Sequence, residues 1–139
     1  MVTLIGMGSG NWEALSAQAQ DAVRRAGLVF GAKRLLAGLP PECTARQFAL
    51  YQPADILETL AQAPGQDAAV LYSGDTGFYS GASGLLTPLR ALGIPARVYP
   101  GVSSIQLLAA ALGRPWQDWK LVSAHGCACD PVAECMTER

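Results

Sequence analysis

Short apolar runs, each closed by a polar, glycine-bearing turn and followed by a helix-forming stretch, confine this chain to few folds. Residues 2–5 run into Gly6-Met7-Gly8-Ser9-Gly10, and residues 28–30 into Gly31-Ala32-Lys33-Arg34. Residues 68–72 run into Ser73-Gly74-Asp75-Thr76-Gly77, and residues 97–99 into Pro100-Gly101-Val102-Ser103-Ser104. A third strand is expected over 46–50 and a last one over 120–123, after a loop at 116–119. Helices are expected over 17–26, capped by Ser16 and ended by Gly27, and briefly from Lys33 to the Gly38-Leu39-Pro40-Pro41 stop. Further helices are expected over 53–62, 83–92 and 105–112, with Pro88 in the first turns of its helix or at a kink. Alternating strands and helices predict an α/β fold, a doubly wound, mainly parallel five-stranded sheet with helices on both faces.

The bulk composition agrees with that. A chain of 139 residues, half apolar and 15% charged, has room for one domain with a real core. Ten basic against eleven acidic side chains give a net charge of −1, which argues against a nucleic-acid partner. No apolar run approaches the roughly 18 residues of a membrane span. The first residues lack a basic leader and cleavage site, so the expectation is a cytoplasmic protein without a membrane anchor. Cysteines at 43, 127, 129 and 135 read as reduced thiols. His125, Cys127, Cys129 and Cys135 offer four metal-ligand types, but their spacing fits no usual finger, and no metal is expected.

Right-handed crossovers bring the turns at 6–10, 73–77 and 100–104 to one sheet edge. In parallel α/β sheets, ligands bind outside that carboxyl edge. The turns supply backbone N–H groups and small side chains, which suits a nucleotide-like cofactor that carries its own reactivity. Gly74 allows close backbone approach, with a Cβ there expected to crowd a cofactor. A dinucleotide site would want G-x-G-x-x-G and an acid near the end of strand two. Here the third glycine arrives one residue early, and Lys33 and Arg34 follow strand two, which leaves an NADP-binding oxidoreductase domain as an alternative.

The order of motifs resembles the tetrapyrrole (corrin/porphyrin) methylase family. Gly6-Met7-Gly8-Ser9-Gly10 resembles its first-strand glycine loop, and residues 26–31 resemble its second strand. Ser73-Gly74-Asp75-Thr76-Gly77-Phe78-Tyr79 resembles its S-G-D-P-x-F-Y loop, with Thr76 in place of the common proline. Pro100-Gly101-Val102-Ser103-Ser104 resembles its P-G-I-S-S turn. Residues 31–36, 116–118 and 123–126 resemble the branch acting at C5 of precorrin-6Y or cobalt-precorrin-7, although Cys127 stands where that branch usually carries arginine.

The resemblance implies S-adenosylmethionine as cofactor, S-adenosylhomocysteine as its product, and C-methylation of a precorrin in cobalamin biosynthesis. It implies cofactor contacts at Gly6, Gly8, Ser9, Gly74, Asp75, Phe78, Ser103 and Ser104, with Asp75 orienting the reacting system. Asp75 and Ser103 also read as helix caps, and Phe78 and Tyr79 as core. Lys33, Arg34, Arg114 and His125 are candidates for the carboxylates of the precorrin or cobalt-precorrin substrate. A homodimer and a C15-methylating decarboxylase component are the implied protein partners. The family has a second α/β domain and a cleft between the two. Residues 1–126 therefore read as an N-terminal domain followed by a cysteine-bearing tail at 127–139. Such a chain is expected to have little activity alone, and the third reading is a non-catalytic interaction fragment.

Overall fold

In a computed structural model, which describes residues 1–122, five parallel strands form one sheet in the order β3-β2-β4-β1-β5. The strands are β1 (Val2–Gly6), β2 (Leu28–Phe30), β3 (Arg46–Phe48), β4 (Ala68–Tyr72) and β5 (Ala96–Tyr99). β1 and β4 lie at the centre, paired from Val2 with Ala68 to Gly6 with Tyr72. Both are apolar almost throughout because helices cover both of their faces. β3 is the edge on one side, with Arg46 and Gln47 exposed, and β5 is the edge on the other.

The helices are α1 (Ala17–Arg25), α2 (Lys33–Ala37), α3 (Pro53–Ala61), α4 (Ala82–Ala91) and α5 (Ser104–Leu112). The Ser16 hydroxyl accepts the Ala19 N–H at 3.2 Å and caps α1, while Arg24 and Arg25 sit against its carbonyl end. Pro53 starts α3, where its missing N–H costs nothing. Pro88 lies inside α4, later than the first turns.

Strand alternation sorts the apolar residues into two clusters. Ile5, Met7, Ala69 and Leu71 pack with Val23 of α1 and Leu35 of α2. Val2, Leu4, Ala68 and Val70 pack on the opposite face with Ile56 of α3 and Leu85 and Leu89 of α4. This is the arrangement that right-handed crossovers require, since the connections leaving β1 and β4 run in opposite directions along the sheet.

Three expectations are corrected. Residues 120–122 are in no strand, and Trp119 N–H instead turns back to the Trp116 carbonyl at 3.0 Å; Ser123 lies outside the described residues. β3 stops at Phe48 because Leu50 N–H bends back to the Phe48 carbonyl at 2.8 Å. Tyr79 is not core: it is 64% exposed.

The chain divides into two compact units, Met1–Ser104 and Ile105–Arg139. The first holds the whole sheet. In the second, α5 continues from Ser104 and turns at Gly113, where Arg114 N–H bonds the Ala109 carbonyl at 3.0 Å. No helix among the described residues is long and apolar enough to cross a membrane.

At the carboxyl edge the backbones of β1, β4 and β5 nearly touch. A Cβ on Gly6 would lie 2.5 Å from the Gly101 nitrogen and 2.7 Å from the Gly74 carbonyl oxygen. Gly6→Ala is therefore expected to destabilise the fold by about 3 kcal/mol or to prevent it, because backbone cannot yield as a flexible side chain does. Gly84→Ala, in the first turn of α4 with Pro53 Cγ nearby at 3.7 Å, is expected to stabilise by about 0.5 kcal/mol. Urea unfolding of the two variants reads these opposite signs.

Candidate functional site at the carboxyl edge

The three turns that follow β1, β4 and β5 meet at one edge. Gly8 and Gly74 form an isolated antiparallel bridge, with reciprocal N–H to carbonyl bonds of 3.1 and 2.9 Å. Both glycines have positive φ, +58° and +64°, which an L side chain rarely adopts. Met7 N–H bonds the Tyr72 carbonyl at 2.7 Å, carrying the β1–β4 pairing beyond the strands. A Cβ on Gly101 would collide with the Gly74 carbonyl oxygen and the Gly6 backbone.

Asp75 joins the β4 turn to the β5 turn. One carboxylate oxygen accepts the Gly77 N–H at 3.1 Å, and the other accepts the Gly101 N–H at 3.0 Å. It does not cap α4, whose first turn is met by Ser80 Oγ, which accepts the Ala82 N–H at 3.2 Å. Ser103, 5% exposed, immediately precedes α5, and Ser104 begins it and is exposed. Ser9 is exposed on the β1 turn.

Within the protein a Cβ on Gly74 would meet Ser103 Cα at an ordinary 3.7 Å and the Val102 carbonyl oxygen at 4.0 Å, so the protein's own demand for glycine there comes from its positive φ. A valine at this position strains the turn itself.

Arg34 reaches the same edge from α2. Its Nη2 donates to Ser73 Oγ at 2.6 Å, and its Nη1 is 3.6 Å from where a Gly10 Cβ would stand. A permanent cation thus lies beside both the β1 turn and the β4 turn. Lys33, the first residue of α2, is exposed. Arg114 belongs to the second unit and is exposed there. His125 and the tail cysteines at 127, 129 and 135 lie outside the described residues. Among the described residues no group of three His, Cys, Asp or Glu side chains is placed to hold a metal ion.

Two features were missed from sequence. Tyr79 alone among the described non-glycine residues has positive φ, 47°, and its ring meets Phe78 edge-on with centroids 4.9 Å apart. Strain of this kind is kept where surrounding structure imposes it. The glycines at 74 and 77 drew attention to the loop, and Tyr79 was read in it, but nothing marked its backbone as strained. Tyr72, at the end of β4, is the other: burial pushes its phenol up to about 12, so it stays neutral across the physiological range.

Residues 1–136 match the family model for tetrapyrrole (corrin/porphyrin) methylases. The chain belongs to that family. A relative, the cobalt-precorrin-7 C(5)-methyltransferase of Salmonella typhimurium, is 34% identical over 128 residues, spanning 91% of this chain and 62% of the relative. Among solved structures, the methyltransferase CobJ is 27% identical with a TM-score of 0.70, covering 82% of this chain and 51% of its own. Uroporphyrin-III C-methyl transferase from Thermus thermophilus, solved with S-adenyl homocysteine, is 25% identical with a TM-score of 0.63. That match covers 79% of this chain and 47% of its own. The chain therefore spans between about half and three-fifths of the length of these tetrapyrrole methylases.

Asp75→Ala is expected to lower stability by about 2 kcal/mol, mostly by leaving the part-buried Gly101 N–H without its charged acceptor. Asp75→Asn keeps one oxygen and is expected to lose about half as much. Chemical denaturation of both variants checks the order.

Proposed function

We propose that the chain carries the S-adenosylmethionine-binding part of a methyltransferase that methylates C5 of a precorrin, precorrin-6Y or cobalt-precorrin-7. The observation that carries this reading is the joining of three glycine-bearing turns into one backbone-lined edge. The 34% identity to a C(5)-methyltransferase supports the position on the macrocycle. A neighbour solved with S-adenyl homocysteine supports the cofactor. The reading assigns residues 1–126 to the family's first domain and 127–139 to a tail, and it assigns the cytoplasm as the compartment. A second copy of the chain and a C15-methylating decarboxylase component are its proposed protein partners.

The residues present fit such a cofactor. Gly8 and Gly74 bring bare backbone to the edge, where a side chain would occupy the space. Gly6, Gly8, Ser9, Gly74, Asp75, Phe78, Ser103 and Ser104 would hold it. When bound, S-adenosylmethionine supplies a methyl group on a sulfonium, so its leaving group is already activated. The chain's task is then alignment and exclusion of water, a contribution of ~7–11 kcal/mol to such reactions. Asp75 serves by fixing the β4 turn against the β5 turn, and both of its oxygens are engaged in doing so. Tyr72, neutral at physiological pH, is not a base for this step. Arg34, with Lys33, Arg114 and His125, is assigned to the carboxylates of the substrate.

The NADP alternative needs Arg34 for a 2′-phosphate. The Arg34–Ser73 bond instead turns the guanidinium toward the β4 loop, which favours the methyltransferase reading. Calorimetric titration of the chain with S-adenosylhomocysteine and with NADP separates the two. Saturable binding of the first alone is expected, and binding of NADP alone would refute the proposal. Arg34→Ala is expected to leave S-adenosylhomocysteine affinity within twofold. It should weaken binding of a tetrapyrrole polycarboxylate about tenfold, read by quenching of tryptophan fluorescence, since a charged hydrogen bond is lost.

A further inference from the structure

A polar cavity of about 190 Å³ opens near the amino ends of the central strands, on the face that carries α1. Its polar lining is the Met1 ammonium, Thr3, Arg25, Asp67, Arg97 and Tyr99. Thr3 stands opposite Arg97 across the β1–β5 pairing. Thr3 is only 6% exposed as a residue and lines this cavity, which is where its hydroxyl is open to solvent or a guest.

The charges around it show what guest would fit. Asp67 is already paired with the Met1 ammonium at 3.3 Å. No ion pair among the described residues involves Arg25 or Arg97. Among the described residues Arg25 donates only through Nε, to the Asp21 carbonyl at 3.3 Å, and Arg97 donates through Nη1 to the Tyr99 hydroxyl at 3.4 Å. The remaining guanidinium N–H groups are unassigned. The negative features nearby, Asp67 and the carbonyl end of α1, are outnumbered by two guanidiniums and an ammonium. The volume holds several waters, at about 30 Å³ each in the liquid, or one compact anion with part of its hydration.

We infer that this cavity binds a small oxyanion, of the phosphate or carboxylate class, through Arg97, Arg25 and the Thr3 hydroxyl. The site lies in the amino half of the sheet, away from the carboxyl-edge turns, and stands independently of the methyl-transfer reading. Arginine suits the task because its fork of N–H donors stays charged and matches oxyanion geometry.

The test is thermal unfolding and calorimetry of the full chain with inorganic phosphate, and separately with acetate, at ionic strength held constant with chloride. A saturable stabilisation by at least one of them is expected, half-complete at about 1 mM, a typical weak-site affinity. Phosphate preference assigns the site to phosphoryl groups, and acetate preference to carboxylates. Arg97→Gln, on an exposed edge position, should raise the dissociation constant at least tenfold with the fold intact. Thr3→Val provides the sharper sign. Without anion it should unfold near the parental temperature, because valine keeps the shape of threonine and no protein hydrogen bond is lost, but its anion affinity should fall at least threefold. The inference is overturned if neither anion stabilises beyond chloride. It is equally overturned if both variants keep parental affinity, which would leave a water-filled cavity and general charge screening.

Discussion

Mutual approach of three backbones at Gly6, Gly74 and Gly101 is the constraint on which the carboxyl edge depends. A Cβ at Gly6 or Gly101 would enter space held by main chain of another segment. Side-chain packing elsewhere adjusts by rotamer changes, but here only the peptide groups meet. The central pairing of β1 and β4, the register of the β5 turn and the Gly8–Gly74 bridge all presuppose that contact. Asp75 then ties the same segments through its carboxylate, so polar and steric fit reinforce one another.

A site made this way has an unusual division of labour. Its shape comes from glycines and its polarity from peptide N–H groups. Few side chains act on their own account, and the engaged carboxylate is occupied in holding loops. Arg34 is the exception, a charged group introduced from α2 and steered by Ser73. Such an edge recognises a ligand by contour and hydrogen-bond direction, and suits a reagent already primed to react.

Much of this was legible in the chain. Apolar runs ending in glycine turns located β1, β2 and β4 to within a residue, because strands buried on both faces must be uniformly apolar, while the edge strand β5 was located by the turn that follows it. Ser16 and Pro53 marked helix starts through local chemistry that does not depend on tertiary context. The limits fell where tertiary context decides. Leu121 and Val122 after Lys120 suggested a strand, but pairing needs a neighbour that sequence does not name. The demand for glycine at 74 was recognised, yet one cause of it, a left-handed backbone, follows only from how the loop meets Gly8. The strain at Tyr79 carried no sequence signal, since its conformation is imposed by the loop around it. Arg34 could be suspected as a cation, but its bond to Ser73 spans 39 positions and is invisible to local pattern.

The division of the interior into two clusters, separated by the sheet itself, bears on how this chain tolerates change. Val23 and Leu35 share no partners with Ile56 and Leu89, since main chain of β1 and β4 stands between them. Losses of packing on the two faces should therefore add rather than compound. Each half of the interior is free to drift in composition without consulting the other. Only the glycine seam, common to both, is held in common trust, and it alone must be inherited whole.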